Sequence, residues 1–139
     1  MISAVRERKK NMSDKRVWIY CRVAHPESDN YSLKIQQEYL IRYATTNGYT
    51  IAGVTAEYGS GLDFGRAGLS EVMDAAKYGK MDAVLVSKLD RIGRTIKKLF
   101  EFETKLNERH VELLCSDGSN NTAFIQDIFS EALKPVFTR

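Results

Sequence analysis

Short apolar runs and amphipathic stretches alternate along this chain and predict strands and helices in turn. Residues 17–23 form an apolar run rich in β-branched and aromatic side chains, which is typical of a buried strand. Apolar residues then recur at helical spacing over 33–47, with Ser32 as the predicted N-cap and Gly48 as the terminator. Similar patterns predict strands at 51–58, 83–87 and 111–115 and helices at 69–78, 95–109 and 122–133.

This order of elements predicts an α/β domain with a mostly parallel central sheet flanked by helices. Parallel strands bring their carboxyl ends to one edge, where open α/β sheets bind ligands. The loops 21–31, 58–68 and 87–94 are therefore expected to meet at that edge. The last helix, 122–133, has more apolar positions than one solvent-facing helix needs, so we expect part of its surface to form a dimer interface.

Charge changes this picture through its distribution. The 139 residues suit a single domain, and the net charge is only +3. Six basic and two acidic residues lie within 1–16, and five basic and one acidic within 88–98, so the remainder of the chain is acidic. Two concentrated basic segments favour a polyanion as partner. We predict that 1–16 is a disordered basic tail and that the folded domain covers 17–139.

Cysteine and histidine usage points to a cytoplasmic protein without a metal site. Cys21 and Cys115 lie in predicted strands and are too few for a disulfide framework, so reduced thiols are expected. No apolar stretch is long enough for a signal peptide or a membrane span. His25 and His110 are isolated, and the sequence predicts no metal site.

The loops at the carboxyl edge hold four arginines that would together grip a phosphoryl group through multidentate hydrogen bonds. A simpler interpretation is a salt-bridged start to the helix 95–109, with Asp90 as its N-cap. Cations ahead of a helix N-terminus are unfavourable, however, and a bound anion would offset them. Residues 59–61 alone are typical of a flexible turn. The residues predicted to serve the site are Arg22, Arg66, Lys88, Asp90, Arg91 and Arg94.

Four sequence blocks follow one another in order along the predicted domain. They are Tyr20-Cys21-Arg22-Val23, then Ser32-Leu33-Lys34-Ile35-Gln36, then Gly59-Ser60-Gly61 with Arg66-Ala67-Gly68-Leu69, and then Lys88-Leu89-Asp90-Arg91-Ile92-Gly93-Arg94. In this order and spacing they resemble the catalytic domain of serine site-specific recombinases of the resolvase/invertase family. The resemblance implies a three-layer, resolvase-like (flavodoxin-like) α/β fold.

The resemblance also implies a reaction. A serine hydroxyl attacks a DNA phosphodiester and forms a 5′-phosphoserine linkage, and strands are exchanged by a homodimer that pairs into a tetramer, without a cofactor. Arginines would neutralise the charge that develops on phosphorus. By matching position, Arg22, Arg66, Arg91 and Arg94 would hold the phosphate, Lys88 and Asp90 would support them, and Gln36 would orient the site. Glu57 stands where the family commonly has aspartate.

Ala24 departs from the family at the nucleophile position, and a methyl group cannot attack phosphorus. The domain is therefore expected to be a recombinase that does not cleave DNA. Rescue by Ser28 would need a register shift, and Ser32 belongs to the block that begins the helix. His25 and Pro26 also depart from the family pattern, which favours natural loss over a deliberate substitution.

Two other functions stay open at this point. The domain could be a catalytically silent accessory module that dimerises through 122–133 and binds DNA or an active recombinase subunit. It could also be a flavodoxin-like domain for a small phosphorylated ligand, although no glycine-rich loop follows the first strand. Family members continue from the final helix into a DNA-binding domain, and we expect none after residue 139.

Overall fold

The structure of the protein, a computed structural model, describes residues 14–24 and 26–118. Strands and helices alternate along this part of the chain in the predicted order, with one 3-10 turn at Leu89–Arg91. The elements are β1 (Arg16–Val23), α1 (Pro26–Thr46), β2 (Thr50–Tyr58), α2 (Ala67–Lys77), β3 (Ala83–Val86), α3 (Ile96–Glu108) and β4 (Glu112–Cys115).

The four strands form one parallel sheet in the order β2-β1-β3-β4. The predicted fold class, a parallel sheet flanked by helices, is confirmed. Arg22 and Glu57 are register partners near the carboxyl ends of β1 and β2. Each connection between strands contains a helix, as parallel crossovers require.

Both faces of the sheet are covered, because residues of β1 and β3 point alternately to the two sides. Helix α1 packs Leu40 and Ala44 against one face, which includes Ile19. Helices α2 and α3 pack on the other face, where Val72 and Leu106 share a core. Continuous apolar runs in these central strands follow from burial on both sides.

Helix α1 begins earlier than predicted. It starts at Pro26, so Ser32 lies inside the helix and the predicted N-cap role of Ser32 is wrong. A proline is well suited to the first turn of a helix, since its fixed φ is helical and its missing N–H would have no partner within the helix. The connection from β1 to α1 is therefore short, and Ala24 lies directly between the two elements.

Ion pairs fix the amino edge of the sheet. Lys15 pairs with Glu112, and Arg16, the first residue of β1, pairs with Asp82. The described structure thus includes residues 14–16 of the predicted tail, while residues 1–13 lie outside the described residues. The predicted helix 122–133 also lies outside them.

The described residues bear on the predictions about cysteines, membrane spans and metal sites. Cys21 and Cys115 are both buried, as predicted. No helix in residues 14–24 and 26–118 has the length and apolar character needed to cross a bilayer. Within the same ranges, no cluster of three or more histidine, cysteine or carboxylate side chains could hold a metal ion.

Candidate functional site

Arg22 joins two loops at the carboxyl edge of the sheet. It is the penultimate residue of β1, and only 2% of its surface is exposed. Its Nε donates to the carbonyl of Arg91 at 2.9 Å, Nη2 to that of Asp90 at 2.6 Å, and Nη1 to that of Gly59 at 2.8 Å. Burial, and then the charge of Arg66, lower the pKa of Arg22. A single guanidinium therefore holds the loop after β2 against the loop after β3.

Arg66 makes a second and denser connection between the same loops. It is 5% exposed. Its Nη1 donates to the carbonyls of Ser60 and Asp63 at 2.5 and 2.8 Å, and its Nη2 donates to those of Arg91 and Ile92 at 3.2 and 2.5 Å. Every nitrogen of the guanidinium is hydrogen-bonded, because Nε donates as well. The loops are thus fixed to each other from both sides.

Glu57 anchors Arg66 from the end of β2. Its Oε2 accepts hydrogen bonds from the Tyr20 hydroxyl at 2.5 Å and from Arg66 Nε at 3.3 Å, and its Oε1 accepts one from the Gly68 N–H at 2.8 Å. The last bond satisfies an N–H in the first turn of α2, which has no side-chain cap of its own. Burial, followed by the bond to Glu57, raises the pKa of Tyr20. The carboxylate therefore connects two strands, a loop and a helix.

Gln36 reaches the site from α1 and holds the main chain of Arg22. Its Oε1 accepts from the Arg22 N–H at 3.2 Å, and its Nε2 donates to the Arg22 carbonyl at 3.3 Å. Both side chains are buried. Gln36 thereby fixes the backbone from which the Arg22 guanidinium extends.

The remaining cations are more exposed. Arg91 is partly buried, and its Nη1 donates to the Arg22 carbonyl at 3.2 Å. Its Nε is buried without a hydrogen-bond partner among the described residues and lies 3.9 Å from Asp90 Oδ1. Lys88 and Arg94 are exposed on either side of the 3-10 turn. These three side chains have donors that the described protein groups do not saturate.

Asp90 does not cap α3. It lies in the 3-10 turn, and the N-cap residue of α3 is Thr95. The simpler interpretation of residues 88–94 as a helix start capped by Asp90 is therefore wrong. The turn instead directs the carbonyls of residues 90–92 at Arg22 and Arg66.

Glycines allow the arginines to approach the loop backbone. A Cβ at Gly61 would lie 3.0 Å from Arg94 Cγ and 3.1 Å from Arg22 Nη2, and a Cβ at Gly59 would lie 2.5 Å from Arg66 Cδ. The main chain continues the contact, since the Arg94 N–H donates to the Gly61 carbonyl at 3.0 Å. Residues 59–61 are thus a tightly held segment rather than a plain flexible turn.

Ala24 is exposed at this edge, immediately after β1. The nearest described thiol, Cys21, is fully buried, and burial raises its pKa to about 12. A thiol that stays protonated and inaccessible is no substitute nucleophile. Ser28 and Ser32 lie within α1, but their side chains lie outside the described residues.

Residues 17–135 match the family model described as "Resolvase, N terminal domain". The chain belongs to the resolvase family. It is similar to a resolvase family site-specific recombinase from Streptococcus pneumoniae, at 25% identity and a TM-score of 0.72 over 87% of both chains. It is also similar to the catalytic domain of ISC1926 TnpA, an IS607-like serine recombinase, at 25% identity and a TM-score of 0.69 over 87% of this chain and 80% of that one.

A third solved structure, the N-terminal catalytic domain of TP901-1 integrase, shares the fold at 21% identity and a TM-score of 0.71, covering 88% of this chain and 93% of that one. Together, the family match and these neighbours identify the chain as a serine recombinase catalytic domain.

Within this resolvase-family domain, most of the site residues predicted from sequence contact one another. Arg22 is bonded to Gln36 and to the main chain of Asp90 and Arg91, and Arg66 reaches Arg91 as well. Arg94 joins them through Gly61, and Lys88 precedes the same turn.

One packing contact of the site was not predicted. The Phe64 ring lies against Gly93, where any Cβ would overlap it, and Lys98 Nζ lies 5.8 Å from the centre of that ring. The glycine within the basic block 88–94 is the only sequence feature that could have indicated this contact. The contact adds a hydrophobic junction to the polar ones between the two loops.

Proposed function

We propose that this domain holds the backbone phosphate of DNA at the carboxyl edge of its sheet and does not cut the strand. The observation that carries the proposal is Ala24, which is exposed between β1 and α1 beside the arginine-linked loops. Its methyl group has neither a lone pair nor a proton to transfer, so no bond to phosphorus can form at this position. Binding and charge neutralisation are what the remaining residues can supply.

The arginines divide into two groups. The side chains of Arg91, Arg94 and Lys88 reach solvent, and their solvent-accessible donors would contact the non-bridging oxygens of the phosphate. The guanidinium groups of Arg22 and Arg66 already donate to protein acceptors, so they would not contact the phosphate directly. Both hold the loops in place. Arg22 also adds positive potential, because its carbonyl acceptors do not neutralise its charge, whereas Arg66 is paired with the Glu57 carboxylate.

In the family reaction, a serine oxygen bonds to phosphorus while the 3′ oxygen leaves. The pentavalent transition state carries more negative charge than the ground state, and preorganised cations stabilise it. This domain keeps residues suited to that task and lacks the attacking oxygen. Gln36, Glu57 and Asp90 would position the cations, since each is bonded to an arginine or adjoins one.

Restoring the serine tests the proposal. Wild type, Ala24→Ser and Ala24→Ser/Arg91→Ala are each incubated with supercoiled DNA carrying the sequences that flank the encoding gene, and covalent adducts are detected on a denaturing gel. We expect an adduct from Ala24→Ser alone. Ala52→Ser, which adds a hydroxyl at an exposed position on β2, should give none.

Two outcomes would contradict parts of the proposal. An adduct from wild type would mean that another nucleophile acts. Binding to DNA without any adduct from Ala24→Ser would instead favour the silent accessory module. The site would then lack other groups that cleavage needs besides the serine. Binding itself is measured by salt titration, in which Arg94→Ala should reduce the slope of log affinity against log salt by about 1.

A further inference from the structure

The loop between β2 and α2 exposes a large apolar side chain. Leu62 is 68% exposed, and among the large apolar residues that the structure describes only Tyr78, at 71%, is more exposed. Isolated exposed leucines are common on protein surfaces and need no special explanation. What distinguishes Leu62 is how the loop holds it and what surrounds it.

The main chain around Leu62 is fixed on both sides. The Leu62 N–H donates to Ser60 Oγ at 3.0 Å, and the Asp63 N–H donates to the Ser60 carbonyl at 3.2 Å. The carbonyls of Ser60 and Asp63 both accept from Arg66 Nη1. Turning Leu62 inward would break these bonds to a buried arginine, so the loop keeps the side chain on its outer surface.

The surroundings of Leu62 are cationic. Gly61, the preceding residue, lies against Arg94 and Arg22, and its carbonyl accepts from the Arg94 N–H. The next residue, Asp63, is acidic, and its Oδ1 accepts a hydrogen bond from the Gly65 N–H at 2.8 Å. An anionic polymer that bound Arg94 would therefore pass close to the leucine.

We propose that Leu62 makes an apolar contact with the sugar and base surface of DNA next to the phosphate held by Arg91 and Arg94. The inference rests on the proposed function and adds a contact of a different physical kind. Proteins that bend or grip DNA place leucine and other apolar side chains against base steps, while nearby cations hold the backbone. Such a contact buries apolar surface, so its contribution does not depend on counterion release.

Salt titration separates this contact from the phosphate contacts. The affinity of the protein for duplex DNA is measured at several salt concentrations for wild type, Leu62→Ser, Leu62→Met and Arg94→Ala. We expect Leu62→Ser to bind about tenfold more weakly at every salt concentration with an unchanged slope. Leu62→Met should stay close to wild type, whereas Arg94→Ala should change the slope.

Tyr78→Ser is the matched control, since Tyr78 is equally exposed but follows the far end of α2. Its affinity should equal that of wild type. Three results would overturn the inference: Leu62→Ser within twofold of wild type, a changed slope for Leu62→Ser, or a shift in its oligomeric state without DNA, which would assign the leucine to a protein interface. Wild type that failed to bind DNA at all would instead remove the proposed function and the inference together.

Discussion

The two edges of the sheet use arginine in opposite ways. At the amino edge, Arg16 bonds the carboxylate of Asp82 through Nε and Nη2, and both side chains are more than two-fifths exposed to solvent. At the carboxyl edge, Arg22 is buried and donates from all three nitrogens to main-chain carbonyls. The first arginine is neutralised at the surface, while the second keeps its charge and organises the backbone.

The difference shows where positive charge remains unpaired on this domain. An exposed ion pair contributes little to stability and removes a charge from the local field. A buried guanidinium that is bonded to carbonyls fixes several chain segments and leaves the edge positive. The carboxyl edge therefore keeps positive charge on a fixed backbone, whereas the amino edge pairs its charges at the surface.

The largest difference in stability between the two edges is expected when an arginine of each edge is replaced. Arg66→Met is expected to lower the free energy of unfolding by about 3–5 kcal/mol, because the carbonyls of two loops and the Glu57 carboxylate lose their donor. Arg16→Met, the matched change at the amino edge, should cost less than about 1 kcal/mol. Urea unfolding followed by circular dichroism measures both. Equal losses from the two variants would contradict the comparison.

The fold could be predicted from the sequence because its strands and helices each carry their own periodicity. The strand predicted at 17–23 and the helix predicted at 95–109 correspond to β1 and α3, and no end differs by more than one residue. The start of α1 could not be predicted in this way. Pro26 suits a turn as well as a helix start, and Ser32 suits a helix interior as well as a cap, until the neighbouring strand is in place.

The residues of the site could be predicted from the sequence, but their hydrogen-bond partners could not. Parallel topology alone brings Arg22, Arg66 and Arg91 to one edge. Which acceptors they meet depends on carbonyl directions in the loops 59–66 and 88–94, and these directions arise only when the loops pack together. The close approach at Gly61 has the same origin, so residues 59–61 could be identified as a turn but not as a contact surface.

A methyl group at Gly93 should test the packing between the loops. Gly93→Ala is expected to cost about 1–3 kcal/mol, because the new Cβ overlaps the Phe64 ring. At the amino edge, a Cβ at Gly79 meets no atom within 4 Å, and the cost of Gly79→Ala, about 1 kcal/mol, comes from its φ of +69° alone. Thermal or urea unfolding measures both losses.

Phe64→Ala distinguishes the steric overlap at Gly93 from the backbone strain at Gly79. Combined with Gly93→Ala, it should cost at least about 1 kcal/mol less than the sum of the single losses, because the overlapping ring is gone. Combined with Gly79→Ala, it should be additive. Additivity in both pairs would mean that the two loops do not press against each other through this ring.

The smallest effect is expected from the Arg16–Asp82 pair. The Arg16 guanidinium and main-chain N–H hold the pKa of Asp82 below its usual value of 3.8. A carboxylate with a lowered folded-state pKa stabilises the fold above its unfolded pKa, and this stabilisation is lost as the pH falls through the folded value. Asp82→Asn should therefore cost less than about 1 kcal/mol at neutral pH, since both partners are solvent-exposed. The loss should shrink in high salt and vanish in strong acid, and urea unfolding across pH and salt checks both trends. A loss that persisted in strong acid would show that Asp82 acts through packing rather than through its charge, which would make the two edges more alike than their burial indicates.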